Sequence, residues 1–111
     1  MRTRFVSLMM FAGLAAIAVS KVAFVKDFAD TYGVKKTSVL GKAKCSVCHV
    51  AGKSKLNAYG LDLQAAMRAE KTKVLTGSVM KKVEGIDSDK DAKTNLEEIQ
   101  ADTLPGDPKS K

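Results

Sequence analysis

The sequence predicts a small all-α fold of four or five short helices, and three observations lead to this prediction. Apolar residues recur at helical spacing in several separate stretches of the 111-residue chain. No stretch alternates apolar and polar residues for long enough to indicate a β-strand. Glycines, loop-forming residues and a capping pattern divide the apolar stretches, so that each predicted helix has only a few turns.

The first twenty residues have the organisation of a secretory signal peptide. A basic start with Arg2 and Arg4 precedes an uncharged apolar run, and the small residues at 18–20 form a cleavage site. A retained membrane anchor is the competing interpretation, but the run falls slightly short of the roughly 20 apolar residues that cross a bilayer. We therefore expect residues 1–20 to be removed, the mature chain to have no stable membrane span, and the protein to be periplasmic or extracellular.

The mature chain, residues 21–111, has the length of one small domain. With 5% aromatic residues and no Trp, it has few bulky side chains to fill a core, and a large apolar cofactor would supply the missing volume. Without Arg2 and Arg4, 17 basic and 12 acidic side chains leave a net charge of +5. We expect no nucleic-acid partner, because the lysines are scattered and the chain is exported. An acidic protein partner fits this charge better.

The first predicted helix follows the cleavage site. Its apolar face carries residues at positions i, i+3, i+4 and i+7, which are neighbours on one side of a helix. These residues are Val25, Phe28, Ala29 and Tyr32. Gly33 ends the helix.

Two connectors and a tail are predicted from composition. Residues 36–44 form a polar connector in which Val39 and Leu40 are the apolar anchors. Residues 51–60 form a loop, because they include two glycines, a serine and an asparagine. The chain from Pro105 onward contains two prolines and is expected to be irregular and frayed.

Three more helices are predicted between these connectors and the tail. Residues 61–70 and 78–86 have apolar residues at helical spacing, and residues 94–102 begin with Thr94 followed by Glu97, a capping-box pattern. The apolar faces of the first two are Leu61, Leu63, Ala66 and Met67, and Val79, Val83 and Ile86.

Both cysteines and the only histidine of the chain lie within five residues, the CSVCH motif of residues 45–49. Two thiols three positions apart can both reach the vinyl groups on one edge of a porphyrin, and the adjacent histidine can then ligate the iron. We therefore predict one covalently bound haem c. Cys45 and Cys48 would form the thioether bonds, and His49 would be the proximal ligand.

Other interpretations of the CSVCH motif are weaker. A disulfide within CxxC closes a very short loop and adds little constraint on the unfolded chain. A thioredoxin-like pair would be expected near a βαβ pattern, which the sequence does not show. Structural zinc needs four protein ligands, and the chain has three cysteines and histidines in total. A chance CxxC beside a surface histidine leaves the shortage of core residues unexplained.

The segment CSVCHV, followed by a basic loop, LNAYG and an amphipathic helix, resembles the monohaem c-type cytochromes. More narrowly, CSVCHVAGKSKLNAYG resembles small exported haem c proteins with a CxxCH…NxYG pattern, over roughly residues 40–105. The resemblance implies a cytochrome c-like bundle of short helices around one haem. It also makes Asn57 and Tyr59 candidates to bind a haem propionate or to fix the loop against the haem. A turn followed by a packed tyrosine is the alternative.

The distal ligand of the iron is the open question. A second histidine is excluded within one chain, and Met67 and Met80 are the methionines of the mature part. Met67 lies on a predicted core face, whereas Met80 lies off the face of its own helix, which makes Met80 the candidate distal ligand. The chain lacks the Pro-flanked methionine loop of short cytochromes c. A lysine, tyrosine, asparagine or open position is therefore the alternative.

The distal ligand also separates two functions. A thioether ligand raises the reduction potential and suits a carrier of single electrons between redox proteins. Such a carrier would dock on an acidic partner through the lysines that flank the motif, Lys42, Lys44, Lys53 and Lys55. An open or displaceable position would instead bind NO or CO. Catalysis is weaker, because no second histidine provides a distal acid or base. The sequence leaves homo- or hetero-oligomerisation open.

A second metal site is indicated by residues 87–98, here called the acidic loop. Its spacing matches an EF-hand, with side-chain ligands at positions 1, 3, 5, 9 and 12 and the carbonyl of Lys93 at position 7. The side chains are Asp87, Asp89, Asp91, Asn95 and Glu98. Ala92 replaces the glycine of position 6 and Thr94 the apolar residue of position 8, so a loop that caps the last helix is the alternative. Calcium would hold the last helix pair and the distal side of the haem pocket.

Overall fold

The computed structural model describes the backbone of residues 20–111 and the side chains from residue 23 onward. It contains five α-helices, α1 (Ser20–Tyr32), α2 (Val39–Ala43), α3 (Ala58–Ala69), α4 (Gly77–Val83) and α5 (Asn95–Gln100), and a 3₁₀ helix at Lys44–Val47. No strand occurs in this range, where an isolated antiparallel bridge joins His49 and Leu56. The prediction of a small all-α fold with four or five short helices is confirmed.

The predicted signal peptide, residues 1–20, lies outside the described residues except for its last residue, where α1 begins. None of the helices in the described range has both the length and the apolar character that a bilayer span needs. The export prediction stays a prediction.

The first helix has the predicted end and part of the predicted face: Phe28 and Tyr32 pack in or against the core, but Phe24 joins them in place of Val25 and Ala29. Phe28 is buried, and its ring centroid lies 5.2 Å from that of Tyr32 and 6.2 Å from that of Tyr59. Gly33 adopts a φ of +62°, which glycine tolerates without the steric cost of a side chain, and stops the helix there. The hydroxyl of Tyr32 donates a hydrogen bond to Glu84 at 3.0 Å and so ties α1 to the end of α4.

One hydrophobic core joins all the helices, and α3 and α4 pack most extensively against each other. It consists of Phe28, Leu40, Val47, Tyr59, Leu63, Ala66, Leu75, Val79, Met80, Val83 and Ile99. Met67 packs against it from the side, as predicted. The prediction that Leu61 and Ile86 belong to the core is wrong, since their side chains are 52% and 41% exposed. Leu61 stands two positions from Leu63 and thus on another side of α3, and α4 ends at Val83 before reaching Ile86.

The predicted polar connector contains a helix, α2. Ser38 caps it by accepting a hydrogen bond from the N–H of Gly41 at 3.0 Å. The carboxylate of Asp102, distant in sequence, accepts the N–H groups of Val39 and Leu40 at 2.9 and 3.0 Å. Leu40 is buried as expected, but Val39 is 51% exposed and is not an anchor. A five-residue helix has little stability of its own, and α2 needs the carboxylate of Asp102 to form. Because Asp102 is distant in sequence, the local composition indicated only a connector.

The predicted loop at residues 51–60 ends earlier, because α3 begins at Ala58. Asn57 caps this helix, with its Oδ1 accepting the N–H of Gly60 at 2.9 Å. Gly60 has a steric reason to be glycine, since a Cβ there would lie 2.1 Å from the carbonyl oxygen of Cys48. The first turn of α3 therefore packs directly on the backbone of the CSVCH motif.

The last helix begins with the predicted capping box. The hydroxyl of Thr94 accepts the N–H of Glu97 at 3.3 Å, and the carboxylate of Glu97 accepts the N–H of Thr94 at 2.9 Å.

The C-terminal segment is not frayed, contrary to the prediction. Pro105 is fully buried, and Leu104 packs against the core. Gly106 lies so close to Asn57 that a Cβ on it would be 2.5 Å from that side chain. Burial of the proline ring and this contact with the cap of α3 hold the segment against the rest of the domain.

Candidate functional site

The CSVCH motif forms a helical turn with both thiols free. The N–H of His49 donates to the carbonyl of Cys45 at 2.9 Å, and the N–H of Cys48 donates to the same carbonyl at 3.3 Å. Residues three positions apart on such a turn lie on the same side, so the two sulfur atoms can address one edge of a planar group. Cys45 is exposed and Cys48 is half-buried.

Burial gives Cys48 an apolar environment. Mainly by desolvation, and secondarily through the neighbouring Cys45, the pKa of the Cys48 thiol is raised to about 12. A sulfur in this position is therefore better suited to a neutral form, such as a thioether, than to a thiolate nucleophile or thiolate metal ligand.

The imidazole of His49 is oriented by the short loop that follows it. Its Nδ1 lies 2.8 Å from the carbonyl oxygen of Ser54. Because a carbonyl can only accept, Nδ1 carries a proton and donates it, and Nε2 is the ring nitrogen that can offer a lone pair to a metal. The loop is closed by a backbone hydrogen bond, in which the N–H of Val50 donates to the carbonyl oxygen of Lys55 at 2.9 Å. A histidine whose second nitrogen is held by a carbonyl is the usual arrangement of a metal ligand.

Asn57 is a clamp between the CSVCH motif and α3. Its Nδ2 donates to the carbonyls of Val47 at 3.0 Å and Ser46 at 3.3 Å. Its backbone N–H donates to the carbonyl oxygen of Cys48 at 2.9 Å. Its Oδ1 is occupied by Gly60. Both side-chain protons of this buried amide are therefore used inside the protein, which places Asn57 in the loop-fixing role of the two roles considered for it.

Tyr59 differs from Asn57 because its hydroxyl is unsatisfied. The side chain is fully buried, and its oxygen has no hydrogen-bond partner. Burial, with Tyr32 and Cys48 nearby, raises the pKa of the phenol, which therefore stays protonated. A buried hydroxyl without a partner is costly, so this donor fits a polar group of a bound cofactor, such as a propionate. The donor set of the motif and this hydroxyl together fit haem c.

Met80 is buried completely in the core beside Val79 and Val83. The expectation that it points away from the core face of its helix is therefore wrong, since α4 buries two adjacent residues where it packs against α3. Its role as distal ligand stays a prediction. The lysines predicted to form the docking face, Lys42, Lys44, Lys53 and Lys55, are all exposed.

Two surface clefts of about 810 and 500 Å³ lie elsewhere on the domain. They share the residues Thr31, Tyr32 and Leu96, and neither is lined by a residue of the CSVCH motif. The haem proposal thus depends on the chemistry of the motif rather than on a cleft.

The acidic loop brings its three aspartates together. One carboxylate oxygen from each of Asp87, Asp89 and Asp91 lies within 4.8 Å of the others. The loop is held by N–H groups that donate to these carboxylates, including that of Asp91 to Asp87 at 3.1 Å and that of Ala92 to Asp87 at 2.8 Å. The N–H of Lys93 donates to Asp91 at 3.0 Å. The chain thus wraps around the carboxylates.

Ala92 adopts a φ of +76°, the left-handed conformation for which an EF-hand loop uses glycine at its sixth position. Although Ala92 stands where an EF-hand loop has glycine, its backbone has the conformation of that glycine. An alanine there carries strain that the surrounding hydrogen bonds offset.

Glu98 completes the cluster from the first turn of α5. It is fully buried, and neither carboxylate oxygen has a hydrogen-bond partner. Burial, together with the adjacent carboxylates of Asp91 and Asp89, raises the pKa of Glu98. Burial and the neighbouring Asp91 likewise raise the pKa of Asp89, whose Oδ2 is also buried and unpartnered.

Asn95 is engaged differently from the four carboxylates. Its Nδ2 donates to the carbonyl of Val83 at 2.9 Å and to the hydroxyl of Ser88 at 2.8 Å, and its Oδ1 accepts the N–H of Ser88 at 3.3 Å. This buried amide ties the loop to the end of α4. The structure therefore groups Asp87, Asp89, Asp91 and Glu98, while the polar atoms of Asn95 serve the loop itself.

Three residues that position the CSVCH motif were not found from the sequence: Ser54, Gly106 and Asp102. Ser54 and Gly106 belong to stretches whose composition indicated only loop or tail, and Asp102 acts on residues more than 60 positions away. Gly60 belongs to the predicted loop of residues 51–60, so its close approach to Cys48 was not found from the sequence either.

Comparisons of this chain with protein-family models, with curated proteins and with solved structures found no match.

Proposed function

We propose that the protein is an exported monohaem c-type cytochrome that carries single electrons between redox proteins. The observation that carries the proposal is the arrangement of His49, whose Nδ1–H is held by the carbonyl of Ser54 at 2.8 Å, so that Nε2 is the nitrogen available to a metal. The adjacent turn presents the two free thiols of Cys45 and Cys48. No other histidine or cysteine occurs in the chain, so these three residues act as one unit.

In this proposal the bound haem iron supplies the one-electron redox chemistry. Cys45 and Cys48 would hold the haem covalently, and His49 would bind its iron from the proximal side. The Ser54 carbonyl fixes the ring orientation of His49 and increases the electron donation of its imidazole.

The protein around the motif is suited to holding it in one position. Asn57 fixes the carbonyls of the turn, Gly60 brings α3 into contact with Cys48, and Gly106 packs on Asn57 from the other side. A rigid supporting shell is what keeps ligands in place while the charge of a bound metal changes. Tyr59 would donate its unpartnered hydroxyl to a haem propionate.

The distal ligand proposed is Met80. Its thioether is already in an apolar environment, which suits a ligand that stabilises reduced iron. The same complete burial also fits a purely structural role for Met80, and this favours a second candidate function. In that case the distal position would be open or displaceable, and the protein would bind NO or CO.

The experiment is the visible absorption spectrum of the protein expressed with a haem c maturation system, oxidised, reduced, and reduced with CO. We expect haem that remains attached after denaturation and a low-spin spectrum that CO does not change. Met80→Leu should convert that spectrum to one that CO shifts, whereas the control Met67→Leu should not. A prompt CO shift in the parent protein would favour gas binding, and a chain that emerges without covalent haem would contradict both functions.

A further inference from the structure

We propose that the acidic loop is a calcium site whose protein side chains are Asp87, Asp89, Asp91 and Glu98. This site is separate from the CSVCH motif and does not depend on the proposed electron-transfer function. Compared with the pattern in the sequence, the proposal removes Asn95 from the ligand set and assigns it to holding the loop in shape.

The first support is the convergence of the three aspartates. Their carboxylate oxygens lie within 4.8 Å of one another, a separation that one ion with oxygen ligands at 2.3–2.6 Å can bridge. Three carboxylates at this separation repel each other, and the N–H donors from the loop compensate for only part of that charge. A divalent cation would remove the repulsion.

The second, independent support is Glu98. It comes from a helix, not from the loop, and is fully buried with both oxygens unpartnered. Its neighbours are the carboxyl groups of Asp89 and Asp91, so it is aimed into the cluster. Burial of an ionised carboxylate without a donor or a counter-charge is strongly unfavourable, and a bound cation or a proton relieves it. In an EF-hand the carboxylate at this twelfth position binds calcium through both oxygens.

The chemistry of the cluster selects calcium. The three clustered aspartates and Glu98 offer hard oxygen ligands, and the aspartate cluster contains no imidazole or thiolate that would favour zinc or copper. Magnesium requires six ligands in near-ideal octahedral geometry, whereas calcium accepts the irregular and bidentate arrangement that a helical glutamate and a flexible loop can provide. The left-handed backbone of Ala92 supplies the sharp turn that brings the loop around the ion.

The bound ion would join three helices. Glu98 belongs to α5, and Asn95 ties the loop to the last turn of α4 through the carbonyl of Val83. The hydroxyl of Ser88 donates to Asp62 of α3. Calcium would thus stabilise the half of the domain formed by α3, α4 and α5, including the helix that carries Met80.

The test measures calcium binding to the full chain as purified, by isothermal titration calorimetry and by thermal denaturation in EGTA and in excess CaCl₂. We expect one calcium ion per chain. At free calcium about tenfold above Kd, the melting temperature should rise by roughly 5–10 °C. An equal concentration of MgCl₂ should give a much smaller rise.

Glu98→Gln is the decisive variant, because it keeps the shape of the side chain and removes its unpartnered charge. In EGTA it should melt at the same temperature as the parent or higher, and it should lose most of the rise with calcium. Glu97→Gln is the matched control, since this exposed neighbour can keep its capping bond as a glutamine and should retain the full rise. Asp87→Asn is a second variant that should lose calcium binding in the same way.

The proposal is overturned if the parent chain shows no stoichiometric calcium binding, or if Glu98→Gln and Asp87→Asn keep the parent's calcium affinity. These outcomes are independent of the absorption spectrum. A chain that binds calcium but carries no haem, or carries haem but binds no calcium, would refute one proposal and leave the other in place.

Discussion

Asn57 shows how much a single residue contributes to the candidate haem site. Its side chain caps α3, holds two carbonyls of the CSVCH motif, and supports Gly106 of the C-terminal segment. Gly60 makes this arrangement possible, because only a residue without Cβ lets α3 approach the carbonyl of Cys48. The residues that shape the site are thus partly those that carry no chemistry.

Gly60→Ala is predicted to destabilise the protein by about 2 kcal/mol, because the new methyl group would overlap a backbone carbonyl that cannot move freely. The comparison is Gly77→Ala in α4, where a Cβ meets nothing within 4 Å. That substitution should be neutral or stabilise by about 0.5 kcal/mol, because alanine favours the helix. Urea denaturation of both variants measures the difference, and equal effects would contradict the close contact at Gly60.

At the scale of elements, α2 depends on a cap supplied from a distant part of the chain. The five residues of α2 have Ser38 as a local cap, but Asp102 adds a carboxylate from beyond α5. This contact holds in place the helix that runs directly into the CSVCH motif. The N–H groups of Leu40 and Val39 keep the pKa of Asp102 below its usual range.

We predict that Asp102→Asn lowers the melting temperature at pH 7 and that this difference disappears in acid. A carboxylate with a depressed folded-state pKa stabilises the protein fully above its unfolded pKa of about 4, and this stabilisation is lost as the pH falls through the folded pKa. The gap between parent and variant should therefore be largest at pH 5–7 and should shrink and then close as the pH falls below 4. Melting curves across this range measure it.

Asp30→Asn is the control for this titration. Asp30 is exposed and paired with Lys26 on the surface of α1, where ion pairs add little stability. The Asp30→Asn variant should have the same melting temperature as the parent at each pH. If Asp102→Asn also follows the parent throughout, the carboxylate does not cap α2 in solution.

At the scale of the whole molecule, the two candidate sites lie on different parts of one core. The CSVCH motif is fastened to α2, to the start of α3 and to the C-terminal segment, whereas the acidic loop joins the end of α4 to α5. The lysines that flank the motif are exposed, so the positive charge next to the proposed haem is open to a partner. Long-range attraction to an acidic protein would follow from this distribution.

Electron transfer from the reduced protein to an acidic redox protein should therefore slow as salt is added, by roughly tenfold between 10 mM and 500 mM. Replacing Lys42 and Lys53 together by Glu should reduce the rate at low salt, whereas the single substitution Lys109→Glu, also at an exposed lysine, should change it little. Stopped-flow kinetics measure both effects. A rate that does not depend on salt would contradict the proposal that these lysines form a docking face.

The sequence by itself determined the all-α class, the end of α1, the capping box of α5 and the proximity of Cys45, Cys48 and His49. These features depend on residues a few positions apart, whose relation is set by the period of the helix. Only the tertiary structure decided that α2 is a helix, that Met80 lies in the core, that the segment after Leu104 is packed and that Asn95 bonds to the end of α4 and to its own loop. Each of these depends on a partner distant in the chain or on which side of a helix is covered, and local spacing does not contain that information.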